Sequence, residues 1–174
     1  MALLATIAAP FSVGAHALLG SGRGTRRIQT REGISIGTTR SNVLTSSGSW
    51  HLAWDIGCPA GTPIYAPHSG KIVKAGGYGT CGITVGIQHG NMRSDLCHLS
   101  QTNVFEGETV RQGDLVGLSG NTGNSYGAHL HWQMFRNGNQ IVPMDALRAS
   151  QLQAVMIGTI GVAGVATLLW WAVG

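Results

Sequence analysis

Hydrophobic and polar residues alternate strictly in two short stretches of this chain, and a period of two predicts β-strands. In the first, Trp50, Leu52, Trp54 and Ile56 fall on one face, with His51, Ala53 and Asp55 on the other. In the second, Ala128, Leu130, Trp132 and Met134 share a face opposite His129, His131 and Gln133. Each strand therefore backs an apolar face with one that carries imidazoles or a carboxylate. Further strands are predicted at Pro63–Ala66, Gly70–Ala75, Ile83–His89, Ser94–Leu99, Leu115–Ser119, His129–Arg136 and Gln140–Val142. The turns predicted between them are Gly76-Gly77, Gly90-Asn91, Gly120-Asn121-Thr122-Gly123 and Asn137-Gly138. Asn137-Gly138, between QMFR and NQIV, is a two-residue hairpin signal.

Composition agrees with an all-β domain. The 174 residues include 27 glycines and only 10% charged side chains, a poor mixture for surface helices. The ends are different material. Residues 154–173 (AVMIGTIGVAGVATLLWWAV) carry no charge, and about 20 such residues match a bilayer-spanning helix, with Trp170 and Trp171 placed as interfacial anchors. A helix apolar on all sides needs either a membrane or a larger protein around it, and the membrane is the expectation here. Met1–Gly20 is also apolar and uncharged, with a small-residue site at Ala15-His16-Ala17. It lacks a positive n-region, and Pro10 interrupts it, so a signal sequence, a membrane segment and a buried arm all stay open.

The net charge of +4 is modest, and its densest cluster is Arg23, Arg26, Arg27 and Arg31 among Gly, Thr and Ser. No aromatic residues interleave with these arginines, so a solvated basic linker is expected and a nucleic-acid partner is not.

Four metal-ligating side chains lie on the two alternating strands. His51 and Asp55 are four apart, His129 and His131 two apart, so each pair leaves its strand on one face. Zinc accepts imidazole nitrogen and carboxylate oxygen, and a catalytic zinc takes three protein ligands with one position open. Four groups for three positions leave one imidazole over. GTPIYAPHSGKIVKAG and GETVRQGDLVGLSG have the rhythm of biotinyl and lipoyl carrier domains. The only lysines, Lys71 and Lys74, lack the carrier's Met-Lys-Met or Asp-Lys setting, so that rhythm reports sheet geometry.

His51-Leu-Ala-Trp-Asp55, GTPIYAPHSGKIV, Cys97-His-Leu-Ser and GNTGNSYGAHLHWQ, in this order over residues 49–145, resemble the M23 or lysostaphin-like zinc endopeptidases. That resemblance implies a small twisted antiparallel β-sandwich or sheet, a Zn2+ cofactor and a peptidoglycan peptide substrate. Carried over residue by residue, it implies His51, Asp55 and His131 as zinc ligands and His98 and His129 at the reaction centre. An unperturbed imidazole titrates near pH 6.5, which suits proton transfer at neutral pH. Three positions depart from the family pattern: Leu96 where Tyr is frequent, Ala128 where Pro is frequent, and Trp132 where Phe is usual. The first bears on substrate positioning; the other two read as packing changes. His16, His68 and His89 are expected to be structural or exposed.

The expected organisation is an apolar segment at 1–22, a basic linker at 23–48, a peptidase-like domain at 49–147 and a transmembrane helix at 152–173. The expected function is membrane-anchored zinc endopeptidase action on peptidoglycan, in a bacterial envelope or in the internal membrane of a phage particle. Partners would then be the lipid bilayer and other envelope or virion proteins. The alternative is a non-catalytic membrane-associated scaffold that keeps the fold. Cys81 and Cys97 flank the turn at Gly90-Asn91, so either they pair or all three cysteines, including Cys58, are reduced. Cys58 is set aside as a fourth ligand because a catalytic site keeps one position open.

Overall fold

Residues 50–143 and 146 are described by a computed structural model, together with the backbone of four two-residue strands between 28 and 44. Those four are β1 (Ile28–Gln29), β2 (Ser35–Ile36), β3 (Thr39–Arg40) and β4 (Val43–Leu44). They are followed by β5 (Trp50–His51), β6 (Trp54–Gly57), β7 (Pro63–Tyr65), β8 (Gly70–Gly77) and β9 (Ile83–His89). The last five are β10 (Met92–Thr102), β11 (Thr109–Val110), β12 (Leu115–Ser119), β13 (His129–Arg136) and β14 (Asn139–Ile141).

The main sheet is antiparallel and runs β11-β8-β9-β10-β13-β6-β3, with β14 on β13 and β7 reached through β12, which pairs with β10. The all-β expectation and the family-like antiparallel sheet hold among the described residues. The alternation in β13 is as predicted: Leu130, Trp132 and Met134 are wholly buried, while His129, His131 and Gln133 are half-buried on the other face. Across the strand pair, Trp132 lies opposite Trp54, and the two indoles stack with centroids 6.0 Å apart. Burying such side chains contributes about 2 kcal/mol or more each, and this layer, with Ile56, Leu96 and Leu99, fixes which face of β6, β10 and β13 looks outward.

Several boundaries differ from the sequence expectation. The strand predicted through Trp50–Ile56 is broken at Leu52 and Ala53, so β5 pairs with β4 while β6 pairs with β13 and β3. Ala53, expected on the outward face, is buried at that bend. Ala128 precedes β13 and is exposed rather than part of the buried face. The Gly76-Gly77 turn is displaced: both glycines end β8, and the chain reverses through Tyr78–Gly82, around a 3-10 turn at Gly79–Cys81. The stretch read as a linker carries β1 to β4, and β3 joins the main sheet. Asn137-Gly138 turns as expected, with φ of +51° and +78° linking β13 to β14. The apolar segment 1–22 and the predicted membrane helix at 152–173 lie outside the described residues. Among the described residues no helix is long and apolar enough to cross a membrane.

His68, in the loop between β7 and β8, is wholly buried. Its Nδ1–H donates to the Ser69 carbonyl at 3.0 Å, so Nε2 accepts from the Ser94 hydroxyl of β10, also at 3.0 Å. Burial pushes its pKa below the ordinary 6.5, and nearby His89 acts in the same direction against the Ser69 hydrogen bond. The unfolded chain therefore takes this proton first as pH falls. Stability from neutral His68 is complete above about pH 6.5 and is lost as pH drops towards the lower folded value. Thermal melts from about pH 7.5 to about pH 5 are expected to show a falling midpoint, with a shallower slope in His68→Gln. An unchanged slope in that variant would remove His68 as a source of the acid sensitivity.

Candidate metal centre

The outward face of the sheet gathers its polar groups by register. His131 of β13 lies directly opposite Asp55 of β6 on one side and Cys97 of β10 on the other. His131 Nδ1 is 2.6 Å from Asp55 Oδ1. His129, two residues earlier and on the same face, brings Nε2 to 3.8 Å from the same carboxylate oxygen. Its Nδ1 is 2.8 Å from the Gly127 carbonyl and 3.2 Å from the Ser125 hydroxyl. A carbonyl only accepts, so Nδ1 carries the proton and the lone pair of the neutral ring sits on Nε2, towards the carboxylate.

His98 arrives by a different device. Up to Cys97, β10 pairs with β13, and from Leu99 it pairs with β12. Against β9 its register shifts between Leu96 and Leu99, which adds one residue to β10 there. His98 sits at this bulge in the left-handed region, with φ of +61°. Bulges re-aim side chains, and here the imidazole turns onto the other two histidines. Its ring centroid is 4.8 Å from that of His129 and 5.5 Å from that of His131. Nδ1–H donates to the Thr122 carbonyl at 2.8 Å, which leaves the Nε2 lone pair available to the site. His98 is only 6% exposed, and burial pushes its pKa down, so the ring stays neutral at neutral pH.

Thr122 is the residue that holds this arrangement together. Its hydroxyl donates to the Leu99 carbonyl at 2.7 Å and accepts from the Ile83 N–H at 2.9 Å. The same residue's carbonyl orients His98. From sequence, Thr122 was legible only as part of a turn. The loop it begins continues through Asn124, Ser125, Tyr126 and Gly127, which line a cleft of about 700 Å³ together with Asp55, His98, His129 and His131. Tyr126 is fully exposed on that lip.

Ligand atoms of His98, His129 and His131 all lie within 4.8 Å of one another. With the Asp55 oxygen against His131, the donors are imidazole nitrogens and a carboxylate with no thiolate among them. That set fits zinc with an open position better than a closed structural site. The backbone of His51 is in β5, opposite Val43, and its side chain lies outside the described residues. The strand break at Leu52 and Ala53 removes the shared-strand argument for His51 and Asp55. Cys58 is buried in the core, where desolvation pushes its thiol pKa up despite a Ser119 hydrogen bond. It does not join the cluster. His89 is exposed at the end of β9, and His16 lies outside the described residues.

Residues 49–143, more than half of the chain, match the profile of Peptidase family M23. The chain belongs to this family. M23 peptidases are zinc-dependent, in keeping with the donor set. Among M23 relatives, the peptidoglycan DD-endopeptidase ShyA of Vibrio cholerae is 36% identical over 112 residues, covering 64% of this chain and 25% of that protein. Lysostaphin of Staphylococcus simulans is 38% identical over 115 residues, covering 62% of this chain and 23% of that protein. The chain thus spans about a quarter of the length of these curated relatives. The lysostaphin catalytic domain, as a solved M23 structure, superposes with a TM-score of 0.58 at 33% identity, covering 67% of this chain and 94% of that one.

Proposed function

We propose that this chain is a zinc metalloendopeptidase that hydrolyses peptide bonds in bacterial peptidoglycan. The observation that carries the reading is the convergence of His98, His129 and His131 with Asp55 on the floor of one cleft. Relatives whose names specify peptidoglycan endopeptidase activity support the substrate class. His51, Asp55 and His131 are the proposed ligands, and His98 and His129 act on the substrate. Zinc bound there supplies a Lewis acid and acidifies water.

The chain's own residues then divide the remaining work. Both His98 and His129 have Nδ1 committed to a backbone carbonyl, so each offers one Nε2 of fixed direction. A lone pair so placed takes a proton from the attacking water. The imidazolium that forms hydrogen-bonds a developing oxyanion or returns the proton to the leaving amine. Two rings with centroids 4.8 Å apart reach the same reacting group, so one can serve as base and the other as acid. Asp55, against His131, keeps negative charge beside both imidazoles of β13.

The setting we propose is membrane-tethered, through residues 152–173, in a bacterial envelope or a phage particle, next to other proteins of that membrane. The uncharged stretch at 154–173 supports it. The test is digestion of purified peptidoglycan of several cross-link types by the intact chain, with chelator and zinc add-back, and mass spectrometry of the released muropeptides. New amino termini that vanish with chelator and return with zinc are expected. A zinc-loaded protein that releases nothing from any wall type would leave the scaffold alternative standing.

A further inference from the structure

The sulfur atoms of Cys81 and Cys97 lie 2.6 Å apart, far inside an ordinary contact between two thiols. The structure joins them by no bond. Cys97 is buried in β10 one residue before His98 and opposite His131, whereas Cys81 is half-exposed in the turn at Gly79–Cys81. An accessible thiol beside a buried one is the arrangement in which the first reacts with an oxidant and the second resolves.

The turn that carries Cys81 also seats the loop that orients His98. The Thr80 carbonyl accepts from the Asn124 N–H at 2.8 Å. Gly82 packs so closely on Thr122 and Gly123 that a Cβ there would meet the Thr122 carbonyl carbon at 2.4 Å. Gly123 is packed in return, with a Cβ position 2.4 Å from the Gly82 nitrogen. Turn, loop and β10 thus form three sides of a frame around His98. Two sides are held by the backbone hydrogen bond at Asn124 and by the His98–Thr122 bond. The third side, from turn to β10, has the two thiols in contact.

We propose that Cys81 and Cys97 are an oxidisable pair whose disulfide closes this frame. The oxidant is a disulfide, either a small-molecule disulfide or that of a thiol–disulfide oxidoreductase. The Cys81 thiolate attacks one of its sulfurs, forms a mixed disulfide and releases the first thiolate. The Cys97 thiolate then attacks the Cys81 sulfur and releases the second. Two protons leave the protein thiols, and two electrons pass to the oxidant, which ends as two thiols. Cys58, in the core and hydrogen-bonded towards Ser119, takes no part.

The test uses the intact chain equilibrated in glutathione buffers of graded oxidised-to-reduced ratio, trapped by alkylation after denaturation and mapped by peptide mass. Two thiols are expected to disappear together in a monomer, through a Cys81–Cys97 peptide, with Cys58 alkylated throughout. Three alkylated cysteines at the most oxidising ratio, or a bridge that includes Cys58 or a second chain, would overturn the proposal. Thermal melts read the bracing. The oxidised wild type is expected to melt higher than the reduced form by roughly 5 °C or more, and Cys81→Ser to show no such difference. Equal midpoints for the two wild-type forms would refute closure of the frame. Thiol counts do not depend on peptidase activity, so this outcome and that of the muropeptide digest are independent.

Discussion

Asp55→Ala and His131→Ala are each expected to lose stoichiometric zinc and to cut peptidoglycan hydrolysis by more than about 100-fold. The magnitude follows from the position of the two groups. Removing a partner that only orients a metal ligand costs about 10- to 100-fold in affinity or activity, so removing a ligand costs more. Both side chains lie on the outward face, half-buried, while Trp54, Ile56, Leu130 and Trp132 fill the core beneath them. The substitutions therefore leave the sheet standing. Thermal midpoints should match the metal-free wild type within a few degrees, since each variant loses only the partly exposed Asp55–His131 contact, worth about 1 kcal/mol or less. Because the two groups act through one ion, the double variant should be no worse than either single one. Metal analysis after dialysis, the muropeptide assay and thermal melts check these statements. Zinc retained at one equivalent by either variant would remove that residue from the ligand set.

The strands that were legible in the sequence are those whose own residues decide their structure. Ile83–His89 is matched at both ends, and His129–Arg136 is matched as a whole, because one face of β13 must be buried and a slip of one residue would expose Trp132. Asn137-Gly138 was legible because two consecutive positive φ angles select that residue pair. The misplaced features depend on distant partners. Nothing local in SWHLAWDIG shows that the chain leaves β4 at His51 and joins β13 at Trp54. Likewise Gly76-Gly77 has the composition of a turn, but β9 still pairs with both residues, so the strand continues.

For the centre itself, residue types and order were legible, and the means of holding them was not. A period-two reading of β10 puts His98 on the core face with Leu96 and Ser94. The bulge overrides that parity, because β10 must change partner from β13 to β12 at this point. Thr122 is a similar case. Threonine in a turn is ordinary, and its role comes from the meeting of Leu99, Ile83 and His98, which lie up to 39 residues away in sequence.

His98 also permits a substitution that separates chemistry from backbone. Its φ of +61° is a region that asparagine and histidine occupy more readily than alanine. His98→Asn therefore removes the imidazole while keeping the bulge and an N–H donor, whereas His98→Ala leaves the Thr122 carbonyl without a side-chain donor, at a cost of about 1–3 kcal/mol. General acid–base catalysis by a positioned imidazole contributes about 10²- to 10⁴-fold. Both variants are expected to lose hydrolysis by that factor in kcat, with zinc still bound, because Asp55 and His131 are untouched. Only the alanine variant should melt at a clearly lower temperature. His129→Gln, whose ring is held by Gly127 and Ser125 rather than by a strained backbone, should lose kcat alike without the drop in stability. A His98→Asn protein with wild-type kcat would place the proton transfer on His129 alone. A protein that lost its zinc would make His98 a ligand, and the tight cluster of three imidazoles would then be the metal site itself.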